Sequence, residues 1–183
     1  MTCFQISCDF DLEEKWTIII EKWGIVDKAG EKVPLLGINN MLLGEYKHNV
    51  DIKGRVAIPA KFREQLGVGA IITRGLDNCL FVFSAKEWEV LAAKLISLPI
   101  SKADSRAFGR FMLSGATDVE IDAQGRILIP DYLRKFADLK KQAIVAGLYN
   151  RIEIWDSERW EKYTAKTESS SEEIAEKLGE LGI

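Results

Sequence analysis

Two arginines occupy the same place in two copies of a short pattern, and their spacing from an aspartate suggests a binding site. Arg55 ends an Asp-x-x-Gly-Arg pattern that begins at Asp51, and Arg126 ends the same pattern beginning at Asp122. Asp and Gly at these positions predict a tight turn, because Asp caps its own backbone and Gly accepts positive φ. An arginine directly after such a turn can hold a guanine edge or a phosphate through its planar guanidinium. The same spacing also allows an ion pair that only braces the turn, and the two roles can coexist.

The two copies differ in charge, and the first is the more basic. Gln124 and Tyr132 stand in the second copy where the first has Lys53 and Lys61. We therefore expect Lys53 and Arg55 to contact nucleic acid, and Arg126 either to contact it or to serve the structure alone. Further candidates for contacts with phosphates, each of which could instead be a solvated surface charge, are Lys47, His48, Lys61, Arg63 and Arg74.

The charge distribution supports a nucleic-acid partner although the total charge does not. The formal net charge is −3. Residues 47–63 contain five basic side chains and one acidic side chain, whereas residues 156–183 contain four basic and eight acidic ones. Local charge rather than the total sets contact with a phosphate backbone. The acidic C-terminal residues therefore offset a basic patch in the net charge.

The copies extend well beyond the arginine pattern. DIKGRVAIPAKFR (residues 51–63) aligns with DAQGRILIPDYLR (residues 122–134), and RGLDNCLFVFSAKEW aligns with AGLYNRIEIWDSERW after one residue of slippage. Each copy predicts a strand, the Asp-x-x-Gly turn, a second strand, and a short amphipathic helix introduced by Pro59 or Pro130. A β-hairpin and a longer helix, capped at its N-terminus by Ser84 or Asp156, follow.

This order of elements predicts an α+β chain that is mainly β, with short α-helices. One unit of four short strands buries too little surface to be stable alone. We expect the two β-β-α-β-β units to interleave their hairpins into one pseudo-symmetric barrel without open edges. The predicted segments are two repeats, a helical connector, an acidic helical tail and an N-terminal extension: residues 45–88, 116–160, 89–115, 161–183 and 1–40, respectively.

The stretch MLLGEYKHNVDIKGRVAIPAKFR, together with the second Asp-x-x-Gly-Arg unit, resembles the MraZ family, whose members carry tandem SpoVT–AbrB-type domains. The similarity extends from Met41 to about Lys166. It implies a swapped-hairpin β-barrel, sequence-specific binding to double-stranded DNA at direct repeats, repression of the operon for cell division and cell-wall synthesis, and a ring-shaped homo-oligomer. The family's Asp-x-x-x-Arg element implies DNA contact by Asp51 and Arg55, and by Asp122 and Arg126. Gly54 and Gly125 belong to the same motif as structural residues.

Residues 1–40 have no counterpart in that pattern, and two interpretations stay open. One is an amphipathic arm that presents Trp16, Ile19, Ile20 and Trp23. The other is that the protein starts at Met41 and that the preceding codons are upstream DNA. Trp23-Gly24 must be encoded TGG-GGN, and Val26-Asp27 and Ala29 to Glu31 can contain TGGA and TGGGGA. These elements begin about ten bases apart, near one turn of B-DNA, as G-rich direct repeats would.

Other classes of protein find less support in the sequence. The three cysteines follow no metal-ligand spacing, and a single histidine makes a His-based triad improbable. We expect no catalytic residue, no bound metal or cofactor, no small-molecule substrate and no membrane span. A cytoplasmic, nucleoid-associated location follows from reduced cysteines and a DNA partner. The alternatives to a DNA-binding regulator are an oligomeric structural protein and an AbrB-type antitoxin; an enzyme has the weakest case.

Overall fold

A computed structural model describes residues 41–67 and 69–179 with their side chains, together with the backbone of three short strands nearer the N-terminus. The chain divides into two compact units, Met1–Asn40 and Met41–Ile183. In the first unit, β1 (Ile19–Glu21), β2 (Gly24–Val26) and β3 (Lys32–Val33) form an antiparallel sheet in that order. The side chains of the predicted arm, including Trp16 and Trp23, lie outside the described residues.

The second unit contains both repeats and confirms the predicted order of their elements. The first repeat supplies β4 (Leu42–Asn49), β5 (Arg55–Ala57), α1 (Ala60–Leu66), β6 (Gly69–Arg74) and β7 (Leu80–Ser84), followed by α2 (Ala85–Ile96). After α3 (Ala103–Leu113), the second repeat supplies β8 (Thr117–Glu120), β9 (Arg126–Leu128), α4 (Asp131–Phe136), β10 (Gln142–Tyr149) and β11 (Ile152–Asp156). The C-terminal helices are α5 (Ser157–Ser169) and α6 (Ser171–Gly179).

Local sequence signals account for the ends of several helices. The Ser84 hydroxyl accepts a hydrogen bond from the backbone N–H of Glu87 at the start of α2, and the Asp156 carboxylate accepts one from Glu158 at the start of α5. Both caps match the prediction. Pro59 and Pro130 stand immediately before α1 and α4, where each proline carbonyl accepts a bond from the first turn of the helix.

The strands of the two repeats interleave. Six of them form one antiparallel sheet in the order β4-β10-β11-β7-β6-β8. Strands of one repeat pair with strands of the other at both ends of this order, as β4–β10 and β6–β8, and at its centre, as β11–β7. β5 and β9, one from each repeat, form a separate antiparallel pair. Each strand of the first repeat therefore pairs with a strand of the second.

The strand pairing by itself leaves this sheet open, with β4 and β8 at its edges. Two isolated β-bridges link the chain just after each edge strand to the β5–β9 pair. Val50, after β4, bridges to Val56 in β5, and Ile121, after β8, bridges to Ile127 in β9. Closure into the predicted barrel thus stays a prediction, with the β5–β9 pair standing between the two edges.

One hydrophobic core lies between the sheet, the β5–β9 pair and the two short helices. Val56, Ile58 and Phe62 from the first repeat are fully buried together with Ile127 and Leu133 from the second. Because equivalent positions of both repeats meet in this core, neither repeat buries its apolar side chains alone. Burial of this face holds the two Asp-x-x-Gly turns at the ends of β5 and β9.

Candidate nucleic-acid interface

The first Asp-x-x-Gly turn is organised around the carboxylate of Asp51. Its Oδ1 accepts hydrogen bonds from the backbone N–H groups of Lys53 (2.8 Å) and Arg55 (2.9 Å), and its Oδ2 accepts one from Arg55 Nε (2.7 Å). Gly54 has φ of +80°, a backbone conformation that glycine adopts without strain. The aspartate therefore fixes both the turn and the direction of the arginine that follows it.

The second turn repeats this geometry. Asp122 Oδ1 accepts from the N–H groups of Gln124 and Arg126, both at 2.9 Å. Its Oδ2 accepts from Nε and Nη2 of Arg126, at 2.9 and 2.8 Å. Gly125 has φ of +76°. The bracing interaction that the spacing allows is thus present in both repeats.

Antiparallel pairing of β5 with β9 brings the two turns together. Arg55 Nη1 lies 3.9 Å from Asp122 Oδ2, and Arg126 Nη1 lies 3.8 Å from Asp51 Oδ2. The four side chains form one group, here called the Asp–Arg cluster, and each exposes between 25% and 33% of its side-chain surface. The cluster is formally neutral, so long-range attraction of an anion depends on the lysines around it.

Hydrogen bonding keeps both carboxylates of the cluster charged. The backbone N–H of Arg55, followed by the Arg55 side chain and the Lys53 N–H, lowers the pKa of Asp51 to about 2. The Arg126 side chain, followed by the Arg126 N–H, lowers the pKa of Asp122. Hydrogen bonds to the charged form stabilise that form. The arginines are therefore held by charged partners throughout the neutral range.

The two arginines differ in the donors that they leave available. Among the described residues, the terminal nitrogens of Arg55 donate no hydrogen bond, because only its Nε is engaged, by Asp51. Arg126 donates from both Nε and Nη2 to Asp122, which leaves three of its five N–H groups, two on Nη1 and one on Nη2. Arg55 can thus offer both terminal nitrogens with all four of their N–H groups to a ligand, whereas one terminal nitrogen of Arg126 is already shared with Asp122.

The tip of the first turn is exposed and mixed in character. The side chain of Ile52 is fully exposed, and Lys53 beside it is exposed as well. Lys141 lies next to this turn, because its carbonyl accepts a hydrogen bond from the N–H of Val50 at 2.9 Å. Sequence reasoning missed Lys141 and its neighbour Lys140. The Lys-Lys pair just before β10 was the available signal.

The other predicted contacts lie in differing surroundings. Lys61 is exposed on α1, and Lys47 is exposed on β4 with Glu161 Oε1 3.9 Å from its amine. Arg63 is half-buried, and its Nε donates to the carbonyl of Ile58 at 2.8 Å. Of these three, the two lysines keep the exposure that a phosphate contact requires.

Arg74 and His48 are placed differently from the expectation of exposed side chains. The guanidinium of Arg74 lies 5.9 Å from the ring centroids of both Phe111 and Phe136, in a cation–π arrangement away from the Asp–Arg cluster. His48 is half-buried, and burial followed by the charge of Arg63 lowers its pKa. Neither residue belongs to the group that the two turns bring together.

Two absences concern the described part of the chain only. Within residues 41–67 and 69–179, no three His, Cys, Asp or Glu side chains are grouped so as to hold a metal ion. Among the helices that the structure describes, none is long and apolar enough to cross a membrane.

Comparison with known proteins shows the family. The sequence model of the family described as "MraZ protein, putative antitoxin-like" matches residues 41–111 and again residues 112–180. This chain belongs to the MraZ family. The two matched regions contain the two repeats, each with its own Asp-x-x-Gly-Arg turn.

Curated MraZ proteins are similar over the same part of the chain. A protein named Transcriptional regulator MraZ from Thermoanaerobacter sp. (strain X514) is 56% identical over 143 residues, which are 78% of this chain and 100% of that protein. The proteins of the same name from Alkaliphilus oremlandii and Caldicellulosiruptor saccharolyticus are each 55% identical over 143 residues, again 78% of this chain and 100% of theirs. Their names describe regulators of transcription rather than enzymes.

Proposed function

We propose that this protein is a sequence-specific DNA-binding regulator of transcription, and that the Asp–Arg cluster with its flanking lysines is the surface that reads DNA. The observation that carries the proposal is the placement of two arginine-bearing turns side by side by the β5–β9 pair, with the Arg55 fork unengaged. The names of the relatives support the same class of function.

In this proposal the contacts divide into two kinds. Arg55 donates two hydrogen bonds to the O6 and N7 acceptors of a guanine or to a phosphate, while Asp51 fixes its direction. Lys53, Lys61 and Lys47 contact phosphates and set the position of the protein on the duplex. Arg126 contributes one further donor from the second turn.

The regulated target is proposed from the resemblance to the family. The protein represses its own operon for cell division and cell-wall synthesis by binding short G-rich direct repeats upstream of its gene, in the cytoplasm and at the nucleoid. The codons for residues 23–31 permit such repeats about ten bases apart. Residues 1–40 are then translated upstream DNA, with the operator in the codons for residues 23–31, and the protein starts at Met41. Sequencing the N-terminus of the native protein tests the start, and the nucleotide sequence tests the repeats.

Two structural parts of the proposal concern closure and assembly. The bridges Val50–Val56 and Ile121–Ile127 support closure of the interleaved strands into a swapped-hairpin barrel through β5 and β9. A ring of subunits needs a contact that closes by rotation. The apolar side chains exposed near the α2–α3 connection, including Ile96 at 70% and Ile100 at 78%, are the proposed subunit contact. When one subunit of a ring binds DNA, the other subunits are held at a high effective concentration near it, so the ring binds more tightly than a single subunit does.

Binding to the DNA immediately upstream of the protein's own gene, measured at two salt concentrations against an unrelated duplex of equal length, tests the function. We expect the upstream DNA to bind more tightly than the unrelated duplex and its affinity to fall steeply with salt. Equal affinity for both duplexes contradicts sequence-specific reading. A defined oligomer that binds neither duplex supports the alternative of a structural assembly.

A further inference from the structure

Arg63 and Arg134 occupy equivalent positions in the two repeats, four residues after Pro59 and Pro130. Each guanidinium lies against the turn glycine of the opposite repeat. A Cβ atom added to Gly54 would lie 2.6 Å from Cζ of Arg134, and one added to Gly125 would overlap the guanidinium of Arg63. These distances place the planar end of each arginine directly over a glycine Cα, where no side chain fits.

The backbone of the same glycines is held by the opposite repeat as well. The carbonyl of Gly125 accepts a hydrogen bond from the N–H of Ile58 at 2.8 Å, and the carbonyl of Gly54 accepts one from Ile129 at 3.0 Å. Each turn is thus fixed from two sides by the other repeat: an N–H group holds the carbonyl, and a guanidinium covers the Cα.

Both arginines are themselves anchored. Arg63 Nε donates to the carbonyl of Ile58 at 2.8 Å, so the residue whose N–H reaches Gly125 also orients the arginine above it. Arg134 pairs with Asp131 through Nη2. The charge of Arg134 is thereby largely compensated within its own helix, which reduces its value as a phosphate ligand.

We propose that Arg63 and Arg134 are reciprocal positioning residues, each of which holds the DNA-reading turn of the opposite repeat in register. The proposal rests on the function proposed above for the two turns. It assigns to Arg63 a role different from the phosphate contact that its charge suggests. β5 and β9 are only three residues long each. The crossed arginines therefore add a further link, between each turn and the short helix of the opposite repeat, to those made by the strand pair and the Asp–Arg cluster.

The physical reason for arginine at these positions is the shape of its end group. A guanidinium is flat and lies against a glycine surface while it donates from its edge, whereas an ammonium is a compact point charge. A lysine replacement keeps the positive charge and loses this flat contact. Charge and position can therefore be separated in one substitution.

Hydrogen exchange of the protein without DNA tests the positioning itself. In Arg63→Lys we expect the N–H groups of Gly125 and Arg126, in the opposite repeat, to exchange roughly tenfold faster, as loss of about one hydrogen bond's worth of protection predicts. The equivalent groups of the first turn keep their rates. Lys61→Ala, two residues earlier on the same helix, is the matched control and leaves both turns unchanged. Unchanged exchange in the second turn overturns the proposal whether or not the protein binds DNA.

A second variant moves the guanidinium without removing a charge. Gly125→Ala places a Cβ where the Arg63 guanidinium lies and also imposes a side chain on a positive φ. Gly67→Ala imposes a side chain at φ of +69° with no atom within 4 Å of the new Cβ, and so controls for the backbone effect. We expect faster exchange of the Ile58 N–H in the first variant only. Equal acceleration by Gly125→Ala whether or not Arg63 is also replaced with alanine assigns the effect to backbone strain and contradicts the positioning role.

Affinity for the upstream DNA and for an unrelated duplex distinguishes positioning from phosphate contact. If Arg63 positions the turn, Arg63→Lys lowers affinity for the upstream DNA by about three- to thirtyfold, less than loss of a direct base contact, and leaves the unrelated duplex unaffected. The salt dependence also stays the same. Lys61→Ala should instead weaken binding to both duplexes and reduce the slope of log affinity against log salt concentration by about 0.9. Full affinity of Arg63→Lys for the upstream DNA, together with weaker binding of Arg63→Ala to both duplexes and a reduced salt slope, identifies a phosphate ligand and refutes the proposal.

Discussion

Replacing Arg55 with alanine should weaken DNA binding more than replacing Arg126, although the two residues are equivalent by sequence. The difference follows from their hydrogen bonds. Arg55 donates only from Nε to Asp51, and its Nη1 is 3.9 Å from Asp122. Arg126 donates from both Nε and Nη2 to Asp122, and its Nη1 is 3.8 Å from Asp51.

The expected size of the two effects can be worked out from the donors that remain. A two-nitrogen contact of Arg55 with a guanine contributes about 1–3 kcal/mol of discrimination, or roughly 5- to 150-fold in affinity. A contact of Arg126 made mainly from Nη1, because its Nη2 is shared with Asp122, contributes about 0.5–1.5 kcal/mol, or roughly 2- to 12-fold. Either substitution also leaves one aspartate of the cluster less compensated near DNA, which weakens binding further in both variants and preserves their order.

Fluorescence anisotropy with the labelled upstream DNA measures both variants under one buffer condition. Lys94→Ala, an exposed lysine on α2, controls for loss of one positive charge and should bind nearly as the unmodified protein does. Circular dichroism checks that each variant is folded. Equal losses for Arg55→Ala and Arg126→Ala, or a larger loss for Arg126→Ala, would refute the reasoning from available donors.

Three further predictions concern the fold that holds the cluster. Gly147→Ala should lower the free energy of unfolding by about 1–3 kcal/mol, because its Cβ would lie 2.6 Å from the backbone of β4. Gly109→Ala in α3 has open space around its Cβ and should raise the free energy of unfolding by about 1 kcal/mol. Denaturant titration of both variants measures the two changes. The lowered pKa values of Asp51 and Asp122 mean that the unfolded chain binds more protons, so their stabilisation is complete above the ordinary carboxyl pKa. This stabilisation is lost as pH falls through the lowered pKa values, of which that of Asp51 is about 2. Acid titration followed by circular dichroism should show a shallower loss when both aspartates are replaced with asparagine, and an identical profile would contradict this linkage. Cys79 is fully buried, and burial, followed by the charge of Glu153, raises the pKa of its thiol. An alkylating reagent should therefore label Cys79 only as the protein unfolds. Rapid labelling of the folded protein, detected by mass spectrometry of the Cys79 peptide, would disprove this prediction.

Short-range chemistry explains why so much of the fold was predictable. The turn at Asp51 to Arg55, the cap at Ser84 and the helix after Pro59 each depend on residues within a few positions of one another. Such interactions form whatever the rest of the chain does. The repeat then predicted that every element would occur twice, and interleaving followed because one repeat has too little core.

The different surroundings of the candidate arginines could not be predicted from the sequence, because they depend on residues far away along the chain. Arg63 and Arg74 look alike as isolated basic residues. Arg63 lies over the glycine of the other repeat, and Arg74 lies against two aromatic rings, one of them more than sixty positions away along the chain. Lys141 was missed for the same reason, since only the pairing of β10 with β4 brings it to the first turn.

The sequence by itself determined the duplication and the chemistry of both turns, and it allowed the bracing of each arginine by the aspartate four positions before it. The tertiary structure decided which donors remain available, which repeat holds which turn, and which basic residues share a surface. The physical reason is range: a turn is fixed by hydrogen bonds between near neighbours, whereas the register between two repeats is fixed by burial of a shared core. Contacts across that register, such as Arg63 over Gly125, exist only once both repeats have folded together.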